Sequence, residues 1–287
     1  MNKIKKGDIV GRISYNKDVV FEVTNILKTK NNKICILKGI TERIEADSPI
    51  EDLEILDKRA VNKKIKNEED KLIRKIKKYI NKEVIDDKDI KDNKRSIKNI
   101  YTGKILHLDG DRRYSEKSIR FYRNLGLNAV VKNIPENKQA NNVLYLLDKY
   151  EPDILIITGH DGMIKKGTNY NDIYNYRNSR HFINTVNMAR RWNNPKSRNL
   201  AIFAGACQSF YEAIMSAGAN FASSPARIMI DFVDPLIVAE RIATTDSTRY
   251  LTIKDIEDEL RDGRAGIDGV GAMGKKAILQ KCNNIEI

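Results

Sequence analysis

Short apolar runs bounded by polar, turn-forming residues recur through residues 1–57: "GDIVGRIS", "VVFEVTNIL", "KICILKGI" and "ERIEADSP". With stretches such as "SYNKD" and "KTKNNK" between them, the alternation predicts a small antiparallel, SH3-like β-barrel. Over residues 58–100 the pattern changes. Ile and Leu keep helical spacing only in the first half of a segment dense in Lys, Asp and Glu, which predicts a charged helix and then a solvated linker. From residue 101, near-continuous apolar runs alternate with amphipathic stretches. Strands are expected at 104–111, 127–134, 153–162, 199–209 and 220–230, and helices at 115–126, 136–150, 177–192, 209–219 and 234–245. Strands apolar on both faces need covering on both sides, so residues 101–250 read as an α/β domain with a mostly parallel sheet between helices. Residues 251–287 read as a helical C-terminal extension broken by "DGRAGIDGVGAMGKK".

Ligands of open parallel sheets bind at the carboxyl ends of the strands. Four ends here carry polar groups: Asp109 and Asp111, then His160, Asp161 and Gly162, then Cys207, and finally Ser223 and Ser224. If the third and fourth strands pair, about 4.8 Å apart, His160 and Cys207 emerge side by side. An imidazole can then manage the proton while the thiolate attacks a carbonyl. The start of the following helix favours the thiolate. Acyl transfer also needs oxyanion donors, and the N–H groups of Cys207 and of Asp161 or Gly162 are the candidates. Gly205 and Ala206 keep the approach to the thiol open. Ser223 and Ser224 are assigned to substrate binding.

Composition narrows the partners. The 287 residues carry a net charge of +13, and 41% are hydrophobic, enough for a real core and a surface suited to acidic partners. Three scattered cysteines, Cys35, Cys207 and Cys282, form no metal-binding or disulfide pattern and suit a reducing compartment. Cys35 reads as core filler and Cys282 as incidental. The N-terminus lacks a signal-peptide apolar region, and no run is long enough to span a bilayer. The chain is therefore expected to be soluble, free of membrane, metal and cofactor. The rival reading is a nucleic-acid-binding protein using the basic barrel and the glycine hairpin "GIDGVGAMGKK", whose Lys275 or Lys276 would meet a phosphate.

A strand ending in His followed by one ending in Ala-Cys resembles the caspase-like cysteine peptidases, which include clostripain, gingipains and separase. The usual Gly after His is replaced here by Asp161. The phrases "HLDGD", "PDILIITGHDG", "YRNSRHF", "FAGACQSFYEAIMSAGANFASSPARI" and "GDIVGRISYNKDVVF" are similar to the YabG sporulation-specific protease family. The resemblance implies a mother-cell endopeptidase that becomes spore-coat associated, processes coat and germination proteins, and cleaves after arginine. Such a preference needs a carboxylate in the pocket. Asp109 and Asp111 are favoured, given a strand order 2-1-3-4, with Asp231 and Asp234 as competitors, and Asp161 could instead orient His160. Nucleic acid is not an expected partner under this reading. The linker at 81–103, with Arg95, is a candidate for self-cleavage.

Overall fold

The computed structural model describes residues 4–28, 32–57, 59–67, 70, 71, 73, 74, 77, 99–164, 169–192 and 199–279. The N-terminal alternation folds as β1 (Ile9–Arg12), β2 (Phe21–Lys28), β3 (Lys33–Gly39), β4 (Glu45–Pro49) and β5 (Leu53–Ile55). Period-2 side-chain alternation turns Cys35 and Leu37 of β3 inward, so Cys35 fills core as expected. The antiparallel order is β4-β3-β2-β1-β5. β4 and β5 form its two ends and do not pair, so strand hydrogen bonds do not close the expected barrel. The chain entering β4 instead bridges to the segment after residue 158, Ile44 pairing with Asp161. A helix, α1 (59–67), follows. Arg95, most of the linker and Cys282 lie outside the described residues.

After β6 (Asn99–Tyr101) come β7 (Ile105–Asp109), α2 (Arg112–Asn124), β8 (Ala129–Asn133), α3 (Glu136–Tyr150) and β9 (Ile154–Thr158). The alternation continues with α4 (Ser179–Arg191), β10 (Ala201–Ala204), α5 (Tyr211–Ser216), β11 (Phe221–Ser223) and α6 (Asp234–Thr244). β8, β7, β9, β10 and β11 lie parallel in that order, which is the 2-1-3-4 sequence with a fifth strand added. Every residue of β7, β9 and β10 is buried. Their two faces form separate cores. α2 and α6 cover one, with Phe121, Tyr122, Leu236 and Ile242, while α3, α4 and α5 cover the other, with Val143, Leu147, Phe182 and Ile214. Each such side chain contributes roughly 1.5–3 kcal/mol relative to exposure.

Three expectations are corrected. The first helix begins at Arg112, earlier than 115, because Asp111 accepts the Arg113 N–H at 2.8 Å and caps it. The fifth strand stops at Ser223, since Ser224 (φ 64°) and Arg227 (φ 57°) adopt left-handed backbone that no strand can continue through. The tail is not helical. It forms 3₁₀ turns, a single helical turn α7 (Gly263–Gly266), and the strands β12 (Tyr250–Leu251), β13 (Ile267–Gly269), β14 (Ala272–Met273) and β15 (Ala277–Leu279). β13 completes the six-stranded sheet antiparallel to β11, and β15 pairs with β6. Gly269 permits this, because a Cβ there would lie 2.1 Å from Asn220 O. The glycine-rich segment is thus part of the sheet, and Lys275 Nζ donates to the Asn199 carbonyl. Among the described residues no helix is long and apolar enough to cross a membrane.

Candidate active site

β9 and β10 pair in register through Ile157 and Ala204. His160 and Cys207 lie equally far beyond these residues, at neighbouring strand ends. Both are completely buried. Burial pushes the Cys207 thiol up to about 11, against the Ile230 carbonyl 4.0 Å from Sγ. Burial likewise holds His160 well below its ordinary value, assisted by the positive charges of Lys38 and Arg43. Burial thus keeps both groups neutral in this state.

The loop carrying Cys207 is held by its surroundings. Gly205 has φ 118°, and a Cβ on it would lie 2.3 Å from Ser223 Oγ, so glycine is required here by backbone and packing and not only for access to the thiol. Gln208, directly after the cysteine, has φ 55°, and its N–H donates to Ile228 O at 3.0 Å and Ser224 Oγ at 3.1 Å. Ser223 Oγ donates to Ala206 O at 2.8 Å, and Ser224 Oγ to Ile228 O at 2.7 Å. Both serines, the expected substrate-binding residues, are fully buried and brace the loop.

Asp161 likewise turns away from His160. Its carboxylate accepts from the N–H of Gly162 (2.9 Å) and Asn178 (2.8 Å) and from the hydroxyls of Ser179 (2.5 Å) and Ser209 (2.9 Å). Ser209 Oγ also accepts the Ala206 N–H at 2.9 Å, so the carboxylate ties the histidine end, the cysteine loop and the start of α4 together. Gly162 N–H is consumed in this knot, leaving Asp161 and Cys207 as the expected oxyanion donors. Burial raises the Asp161 carboxyl to about 6 despite these four donors. The folded chain therefore retains, between about pH 4 and 6, a proton that the unfolded chain has released, and this contribution to stability is lost as pH rises through the window. Asp161→Asn removes that component. Thermal melts should show the wild type losing more Tm than the variant between pH 4 and pH 6, and equal changes would contradict the assignment.

At the end of β7, Asp109 is buried and fully partnered. Its Oδ1 accepts the Asp111 N–H at 2.7 Å, and its Oδ2 accepts from Thr158 Oγ1 at 2.7 Å and from Arg43 Nη1 at 3.1 Å. His107 Nε2 lies 2.7 Å from the same Thr158 hydroxyl, and burial, with Arg43 nearby, lowers its pKa to about 3, so it backs this chain as a neutral ring. The Arg43 guanidinium carbon sits 5.4 Å from the Tyr114 ring centre and 5.7 Å from that of Phe232. The guanidinium thus meets one carboxylate and the adjacent rings of Tyr114 and Phe232, whose centres lie 5.3 Å apart. Asp111 is drawn the other way. Burial opposes its charge, but the Lys38 and Arg113 cations beside it hold the carboxyl below the usual carboxylate range. Asp231 caps its own turn through the Val233 N–H, and Asp234 Oδ1 accepts the Arg261 N–H at 3.2 Å.

The sequence pattern passed over Glu136, the first residue of α3. Its Oε1 accepts the His160 N–H at 2.7 Å and lies 4.0 Å from Nδ1, which has no hydrogen-bond partner. Cβ atoms on Gly110 or Gly159 would meet Oε1 at 2.2 and 2.3 Å, so the two glycines make room for this carboxylate. That pair of glycines at adjacent strand tips was the available signal. Residues 38–47 also cover the site. Tyr114 Oη donates to Thr41 O at 3.0 Å, His160 Nε2 to Gly39 O at 3.4 Å, and Asp161 N–H to Arg43 O at 3.4 Å. Glu45 N–H returns to Asp161 O at 2.9 Å, and Arg177 pairs with Asp47. Among the described residues no group of three or more His, Cys, Asp or Glu is placed to hold a metal ion.

The model of one protein family, the YabG peptidase U57, matches residues 5–279. The sporulation-specific protease YabG of Bacillus subtilis (strain 168) is 36% identical over 291 residues, covering 96% of each chain. No solved structure matches.

Proposed function

Because this chain belongs to the YabG peptidase U57 family, we propose that it is a cysteine endopeptidase with Cys207 as nucleophile and His160 as the group that moves the proton. The observation that carries the reading is the β9–β10 register, which supports His160 and Cys207 acting together because they follow neighbouring strand ends at the same distance. The Cys207 thiolate attacks the substrate carbonyl, His160 passes the proton to the departing amine, and water hydrolyses the resulting thioester. The N–H groups of Cys207 and Asp161 receive the oxyanion. Glu136 supports the imidazolium from the Nδ1 side. The strand order and the sites of His and Cys suit a caspase-like domain.

Asp109, which holds the Arg43 guanidinium near the rings of Tyr114 and Phe232, is the carboxylate that reads an arginine before the cut bond, and Asp111 acts on His160 and Lys38. The substrates are sporulation proteins, coat and germination proteins among them, met in the mother cell and at the spore coat. The test is mass spectrometry of a peptide library after incubation with the purified chain. Products ending in Arg, abolished by alkylating the protein with iodoacetamide, are expected. Cleavage without regard to Arg, or undiminished after alkylation, would overturn the proposal.

A further inference from the structure

We infer that His107 and Thr158 are positioning residues for the arginine pocket, holding Asp109 as a fixed anion through a one-way chain of hydrogen bonds that starts at Tyr122. The inference rests on the reading of Asp109 as the carboxylate before the cut bond and adds what supports it from behind. β7 places His107 and Asp109 on one face, two residues apart, and its register with β9 sets Thr158 directly opposite Asp109. Tyr122 reaches the same row from α2. None of the four side chains is more than 1% exposed. The core around them is built from residues such as Ile105, Ile154, Ile156 and Phe121. Hydrocarbon would fill that space without the cost of burying polar groups, so the polar row is explained by what it ends on.

The direction of each bond follows from its chemistry. Asp109 accepts from the Asp111 N–H, the Thr158 hydroxyl and Arg43, and an ionised carboxylate can only accept. The single hydrogen of Thr158 Oγ1 is therefore directed at Asp109 Oδ2, 2.7 Å away, and the oxygen accepts from His107 Nε2, also at 2.7 Å. A neutral imidazole protonated at Nε2 offers only a lone pair at Nδ1, so Tyr122 Oη, 3.1 Å away, donates to it. From Tyr122 through His107 and Thr158, every hydrogen points toward the carboxylate. The chain fixes the orientation of Asp109 and opposes the burial that raises its pKa, as do Arg43 and the Asp111 N–H. The charges facing Asp109 are Arg43 from the β3–β4 connection, Asp111 beyond β7 and Glu136 from α3, while Tyr122 and His107 are held neutral.

The experiment compares kcat/KM across pH for an arginyl peptide amide and its citrullyl counterpart, which has the same shape without the charge. Ionisation of Cys207 and His160 affects both substrates alike, so their ratio reads the charge in the pocket. Thr158→Val keeps the shape and loses the hydroxyl, and is expected to lower the ratio about tenfold or more near neutral pH. The acid decline of the ratio should also move to higher pH, because the lost donor no longer favours the anion. Thr158→Ser should restore both. His107→Leu should lower the ratio less, since the hydroxyl remains but is free to turn, and it carries the test should circular dichroism find Thr158→Val unfolded. An unchanged ratio and pH position in either folded variant overturns the inference and leaves the peptidase reading standing. Thr158→Ser behaving like Thr158→Val does the same, by marking the role as packing. A wild type that cuts both amides equally overturns the reading of Asp109, and failure to cut either overturns the peptidase reading.

Discussion

Cys207→Ala is expected to lower peptide-bond hydrolysis by about 10⁴-fold or more, because the acyl intermediate forms on its sulfur. His160→Ala should cost a comparable factor, and the two losses should not add, since each disables the same step. The fold should survive the cysteine change. Alanine keeps the buried apolar character of position 207, and the loop is held by Ser209, Ser223 and Ser224 and not by the thiol. Glu136→Gln separates positioning from structure. The glutamine can still accept the His160 N–H but no longer offers charge to Nδ1, so kcat should fall about 10²-fold with KM unchanged. Single-turnover kinetics on an arginyl peptide, with circular dichroism to check folding, measure all three. Full activity in either Cys207→Ala or His160→Ala would remove the dyad.

Asp109→Asn is expected to act twice, on specificity and on stability. On an external arginyl substrate it should reduce kcat/KM by roughly 10²–10³-fold, the cost of leaving a guanidinium in a buried pocket without its charge partner. An alanyl substrate, which has no charge to satisfy, should lose far less. In a Cys207→Ala background, the same substitution strands the Arg43 guanidinium, which cannot shed its proton. Arg43→Gln strands only Asp109, whose carboxyl is already raised by burial and can be neutralised by a proton. The Tm should therefore drop more for Asp109→Asn than for Arg43→Gln, and the double variant should regain part of the loss. Calorimetry of the four proteins checks the order. Equal Tm values would show that the pair carries no net energy.

Much of this molecule follows from periodicity. The runs ending at Asp109, His160 and Cys207 are apolar on both faces, so a covered parallel sheet was their favourable arrangement, while its order entered only as a condition on the Asp109 pocket. The tail defeated the same reasoning because its strands are two or three residues long and owe their form to partners far away in sequence, β11, β12 and β6. Ser223 and Ser224 illustrate a different limit. A hydroxyl at a strand end looks the same in sequence whether it faces a ligand or the neighbouring loop. Glu136 and Arg43 were hidden for a related reason. Each reaches the site from an element whose own pattern is fully explained by local structure, a helix start for one and a strand entry for the other. Asp161 shows the reverse case. It was marked as a departure from the caspase-like pattern, and its carboxylate is the fastening between the histidine and cysteine ends.

The order β4-β3-β2-β1-β5 has a consequence for access to the strand ends. The connection between β3 and β4 lies over them, and both its flanks are laddered, β3 to β2 and β4 to β3. Arg43, carried on that connection, occupies Asp109. An outside arginine can therefore reach this carboxylate only when the connection lifts, so the closed form competes with every substrate. The apparent Kd is then the intrinsic one divided by the fraction of molecules that are open. A change that loosens the connection would tighten substrate binding without touching the pocket.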